Sequence, residues 1–132
     1  MYLDIHEEAR ELRGHFPDLT ASDFYRLDND NIGVPVTYTT DGFLQSDYEV
    51  LIEYPRGYPD SQPKAWVQSP DLEAGTPHTL GDEYGDTRIC YLRFSQWESD
   101  YTGWDAAGMI KTWLYAYSNW KDTGNWDWGE AD

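Results

Sequence analysis

The chain has one cysteine, Cys90, in 132 residues. A lone thiol forms no internal disulfide. With only three histidines, His6, His15 and His78, scattered along the chain, no Cys/His zinc spacing exists either. Neither a metal nor a cofactor is therefore expected. Lysine is almost as scarce. Lys64, Lys111 and Lys121 are the only three, and together with six arginines they face 25 acids, for a formal net charge of −16. No basic stripe is present, which argues against a nucleic-acid partner. No apolar run approaches the length needed to span a membrane, and the charged stretch Met1 to Arg13 lacks the apolar core of a signal peptide. A cytoplasmic protein is the expectation.

What is present is acid and aromatic area. The halves 1–66 and 67–132 carry 13 acids against 5 bases and 12 against 4, so each stands at −8. The acidity is a property of the whole surface, not of a tail. Such a surface, poor in lysine and with Asp outnumbering Glu 16 to 9, suits a halophilic cell, archaeal among them, where salt screens self-repulsion. The competing reading is an acidic protein that binds basic partners. Against the charge stand 22 aromatics, enough apolar area to build a core. At this length one domain over residues 1–132 is expected.

Apolar spacing predicts a helix over residues 2–13, with Leu3, Ile5, Ala9 and Leu12 along one face and Gly14 as its stop. Three strands follow, Ser22 to Leu27, Ile32 to Thr39 and Asp47 to Tyr54, separated by the turn clusters Asp28-Asn29-Asp30-Asn31 and Asp41-Gly42. Pro35 marks an edge or a bulge. Tyr48, Val50, Ile52 and Tyr54 alternate with Asp47, Glu49, Leu51 and Glu53. The segment Pro55 to Pro63, with three prolines in nine residues, is a rigid loop. Lys64 to Gln68 reads as a fourth strand. Residues 69–89 show little periodicity and read as a long irregular loop, of the kind that carries function. Met109, Ile110, Trp113, Leu114, Tyr117 and Trp120 define the main helix, Trp104 to Lys121, closed by Gly124. Trp126 and Trp128 are expected to pack back onto the body. The class is α+β: an N-terminal helix, a four-stranded antiparallel meander, a long loop and one main C-terminal helix.

The single thiol lies in Gly85-Asp86-Thr87-Arg88-Ile89-Cys90-Tyr91-Leu92-Arg93-Phe94-Ser95-Gln96-Trp97, after the irregular loop and before the main helix. By composition Cys90 reads as a buried, inert core thiol. By context it reads as a nucleophile offered on a loop.

The order of elements and several local motifs resemble the ubiquitin-conjugating enzyme fold. Tyr48 to Pro55 followed by Tyr58-Pro59 and Pro63 is similar to that family's third strand and Tyr-Pro…Pro turn. Ile89-Cys90-Tyr91-Leu92 is similar to its active-site cysteine segment, and Trp97 with Thr102 to the residues that lead into the following helix. The run from Trp113 to Trp126, with Trp120-Lys121-Asp122-Thr123-Gly124-Asn125-Trp126, resembles the prokaryotic branch. That branch is found in antiphage systems with cyclic-oligonucleotide signalling and in ubiquitin-like conjugation operons. The resemblance covers roughly residues 1–120. It implies a thioester carrier on Cys90, loaded by an adenylating, ubiquitin-activating-like enzyme. The cargo would be the C-terminus of a ubiquitin-like protein or of a nucleotidyltransferase, passed to an amine.

The His-Pro-Asn of eukaryotic members is absent. His78 is followed by Thr79-Leu80, and Cys90 lies twelve residues on with no Asn between. His78 would then be structural or help support the oxyanion, alongside backbone N–H groups or Arg88. Asp122, expected just past the helix, is a candidate for orienting or deprotonating the amine, or simply a solvated helix-end acid. The alternatives to a carrier are a non-catalytic scaffold of the same fold and the acidic binder of basic surfaces.

Overall fold

The computed structural model describes residues 2–42, 44–83 and 85–126. Helix α1 spans Ile5–Leu12, shorter than the periodicity suggests, because Asp4 takes the N-cap position and accepts a hydrogen bond from the Glu7 amide at 3.2 Å. Leu3, Ala9 and Leu12 are buried as expected. The helix ends before Gly14, where a Cβ would lie 2.6 Å from the Trp104 ring. Glycine there lets the end of α1 meet the start of the second helix.

The sheet has six strands in the order β1-β2-β3-β4-β6-β5, all antiparallel. They are β1 (Tyr25–Arg26), β2 (Ile32–Tyr38), β3 (Tyr48–Tyr54), β4 (Lys64–Ser69), β5 (Thr79–Glu83) and β6 (Asp86–Ile89). The four expected strands appear as β1 to β4, in meander order. The first is much shorter than expected, because Ala21–Asp23 is a 3-10 turn in which Asp23 Oδ2 accepts from the Thr20 amide at 2.8 Å. Since β1 covers only Ile32 and Gly33, Pro35 sits on a stretch of β2 with a single neighbour, β3. A residue without an amide hydrogen is tolerated there.

The strand count is corrected by residues 79–89, expected to be irregular. They form the hairpin β5–β6, which pairs onto β4. Gly85 at φ +83° makes the turn. The hairpin escapes a search for alternating apolar residues because Leu80, Gly81, Asp82 and Glu83 are all exposed. Only Ile89 reaches the core.

Cross-strand partners define two faces. Val34, Ile52, Ala65 and Ile89 form one row, and Val36, Val50 and Val67 the next. All are buried, facing helix α2 (Gly103–Thr123). Ala106, Ala107, Ile110, Trp113, Leu114 and Tyr117 make the facing side of α2, at the three- and four-residue spacing read from the sequence. The Tyr38 hydroxyl donates to the Ala107 carbonyl at 2.7 Å, tying β2 to α2 inside the core. Thr102 precedes α2, and Asp105 Oδ2 accepts from its amide at 2.8 Å. Gly124 closes the helix at φ +79°. Trp126 packs on Trp113, with ring centres 5.2 Å apart; Trp128 lies outside the described residues.

The other face carries Leu51, Glu53, Trp66 and Arg88. Glu53 is only 3% exposed. Asn29 Nδ2, Asn31 Nδ2 and Trp66 Nε1 donate to its carboxylate at 2.8, 2.7 and 2.9 Å. Burial pushes the Glu53 carboxyl up, but the three hydrogen bonds and nearby Lys64 outweigh it, so the net shift is downward. These bonds pin the turn before β2 to the outer face of β3 and β4.

Removing that carboxylate by Glu53→Ala leaves three donors without their acceptor and is expected to cost about 2–3 kcal/mol in chemical denaturation. The advantage of the wild type is full above the ordinary carboxyl value of 4.5. It fades as pH falls through the lowered value of the folded protein, so midpoints measured from pH 7 to pH 3 should converge.

Candidate functional site

Cys90 immediately follows β6. Ile89 and Tyr91, on either side of it, both belong to the apolar core cluster, at 1% and 6% exposure. β6 is extended up to Ile89, and the chain bends from Tyr91 onward. Cys90 lies outside that cluster although it is only 7% exposed. Its amide donates to the His78 carbonyl at 2.9 Å. Its thiol points to the Leu92 carbonyl, with Sγ 3.7 Å from the oxygen.

The Pro55–Pro63 loop braces the segment that carries the thiol. Gln62 Nε2 donates to the same Leu92 carbonyl at 3.1 Å. Trp97 Nε1 donates to the Pro59 carbonyl at 2.8 Å, and the Tyr91 hydroxyl to the Pro63 carbonyl. Burial drives the Tyr91 phenol up, partly opposed by a hydrogen bond from Gln62 and by nearby Arg88, so it is a neutral donor. The loop is in turn anchored to α1. Tyr58 and Tyr54 donate to the two oxygens of Glu8 at 2.5 and 3.0 Å. Glu8 is buried, and burial raises its carboxyl above the ordinary value. Glycine at 103 makes room for it, since a Cβ there would lie 2.5 Å from Glu8 Oε2.

His78 adopts the left-handed region at φ +56°. Its carbonyl accepts from both the Cys90 amide and Trp113 Nε1, the latter at 3.2 Å. Its ring rests on Trp126, with centres 4.9 Å apart. The structure thus brings His78 to Cys90 through the main chain. Arg88 lies opposite Trp66 on the outer face, with its guanidinium 5.4 Å from the centre of the Phe94 ring. Its Nε is buried without a hydrogen-bond partner, as is Gln62 Oε1. Phe94 is 59% exposed.

Asp122 is exposed and accepts from Gln45 Nε2 at 2.7 Å, beside the β2–β3 connection. It stands nine residues beyond Trp113, about 14 Å along the helix axis at 1.5 Å per residue. The ring of Tyr101 meets Trp97 with centres 5.2 Å apart, beside the start of α2.

Sequence reasoning passed over Gln62 and Glu8. Gln62 is one polar residue in a loop read only for its prolines, and Glu8 is one acid among several in α1. Phe94 stood in the stretch around the thiol without a role. Its one signal was an aromatic among polar neighbours just after the cysteine.

A family model described as Type II CBASS E2 protein matches residues 8–132. Neither the curated proteins nor the solved structures give a match.

The brace makes a checkable statement about the thiol. Alkylation of native Cys90 by iodoacetamide should run roughly ten-fold or more below a fully exposed thiol, since reaction waits on local opening. Gln62→Ala removes one of the two donors on the Leu92 carbonyl and should speed it several-fold, while the unfolded protein reacts at the rate of a simple peptide thiol. Mass spectrometry of timed samples gives all three rates.

Proposed function

The chain belongs to the Type II CBASS E2 protein family, which gives it a ubiquitin-conjugating-like role in antiphage defence, and from that premise we propose that Cys90 carries the cargo as a thioester. In this reading the whole chain, residues 1–132, is one domain of the ubiquitin-conjugating-enzyme type. An adenylating enzyme activates a protein C-terminus, of a ubiquitin-like protein or of a nucleotidyltransferase, at the expense of ATP. The Cys90 thiolate attacks the activated carbonyl; a C–S bond forms and the bond to the activating group breaks. An acceptor amine then attacks the same carbon. A C–N bond forms, the sulfur leaves with the C–S electron pair, and the amine gives up a proton to solvent.

The observation that supports this reading is that Cys90, between two core residues, stays outside the core cluster. A structural thiol would join Ile89 and Tyr91 inside. His78 is given a positioning role, since its carbonyl holds the Cys90 amide. Asp122 is a candidate for orienting the amine, and Asp122→Asn would then slow transfer to the amine while leaving loading intact.

One observation favours the second reading, a scaffold of the same fold: only 7% of Cys90 is exposed. Incubation with the activating partner, its cargo and ATP separates the two. Wild type should yield an adduct that thiol reductant removes. Cys90→Ser should trap the cargo as an oxyester that survives reductant, and Cys90→Ala should form nothing. Conjugation by Cys90→Ala at the wild-type rate, or no adduct on the wild type, rejects the carrier and leaves the scaffold.

A further inference from the structure

The tetrahedral intermediate of acyl transfer carries a developing negative oxygen, and the site must offer it donors that are not already engaged. The Cys90 amide is engaged by His78, and the His78 carbonyl is itself an acceptor. Arg88 is different. It precedes Cys90 by two residues and lies on the outer face of β6, opposite Trp66. Its Nε is buried with no partner, and the guanidinium makes no hydrogen bond or ion pair among the described residues. It lies over the face of Phe94, across which a guanidinium can lie flat. In a chain of net charge −16, Arg88 and Arg93 are the only bases between Lys64 and Lys111. Arg88 is half-buried, and a buried Nε with no acceptor is costly to keep, unless the missing acceptor arrives with the substrate.

We propose that Arg88 is the oxyanion donor of this site, supplying from its guanidinium the hydrogen bond and charge that stabilise the tetrahedral intermediate on Cys90, with Phe94 holding the guanidinium plane. This rests on the thioester reading above. Arg88 transfers no proton, because a guanidinium stays charged. When sulfur or amine attacks, the C=O electron pair moves onto oxygen, and Arg88 holds that charge. The pair returns as the leaving group departs.

The test avoids unidentified partners. A short peptide ending in glycine, supplied as its 2-mercaptoethanesulfonate thioester, acylates Cys90 by thiol exchange, and intact mass follows loading. The loaded protein is freed of donor and discharged with hydroxylamine. Arg88→Gln should slow discharge about a hundred-fold, the loss typical of one oxyanion donor. Arg88→Lys keeps the charge without the planar fork and should recover about ten-fold of that loss. A packing role alone would give no such rescue. Phe94→Leu should lose a few-fold in rate with Arg88 intact. If Arg88→Gln does not fold, Arg88→Lys and Phe94→Leu carry the test through their own deficits. Discharge of Arg88→Gln, or of both other variants, within two-fold of wild type overturns the assignment. A wild-type protein that never acquires the acyl group instead overturns the thioester reading itself.

Discussion

Ile89 and Tyr91 both enter the apolar core cluster, and Cys90 between them stays outside it. Everything that distinguishes the site follows from that constraint. The sulfur lies against the Leu92 carbonyl, and Arg88, two residues back, lies on the outer face of the sheet. The segment that carries it cannot drift, because Ile89 pairs with Ala65 and Thr79 while Tyr91 bonds the end of the Pro55–Pro63 loop. Two buried apolar anchors thus hold one polarisable atom between them.

The acidity of the chain is managed in the same economical way. Among the described residues two carboxylates are taken out of water, and both are clothed by neutral donors, not by cations. Glu53 takes two Asn amides and an indole; Glu8 takes two tyrosine hydroxyls. The shifts differ in sign because the balance differs. Three hydrogen bonds beat burial at Glu53, whereas burial wins over two at Glu8. Each stitches a distant segment to the sheet: Glu53 fixes the turn before β2, and Glu8 fixes α1 to the loop that braces the thiol.

Much of this was legible in the sequence. The two helices, the strands β2 to β4 and the stop at Gly124 all follow from periodicity and terminal residues, because those elements turn a regular row of apolar residues to the core. The β5–β6 hairpin was not legible. Its outer strand buries no face at all, so it has no alternation to find, and its pairing is set by β4 and the Gly85 turn. The first strand shrank for a local reason, a Thr20–Asp23 turn competing with extended backbone. At the site, the cysteine and its histidine could be picked out by type. What Arg88 and Gln62 lack could not, since a missing partner is a fact of three dimensions.

Low exposure of Cys90 bears on its chemistry only through the energy needed to uncover it. Beside the thiol is the turn at Leu92, whose carbonyl takes the Cys90 thiol and the Gln62 amide. Lifting that carbonyl gives up those two contacts, about 2 kcal/mol at about 1 kcal/mol for each hydrogen bond. Tyr91 and Trp97 can keep their own bonds to Pro63 and Pro59 meanwhile, so no core surface need be exposed. A gap of about 2 kcal/mol leaves a few per cent of molecules open, well within the range of local opening in native proteins. The resulting rate penalty, roughly thirty-fold, is a few-fold less than the roughly hundred-fold contribution of one well-placed oxyanion donor. Burial of this degree therefore slows casual reaction with small electrophiles more than it obstructs a docked acyl donor, whose own contacts can offset the opening.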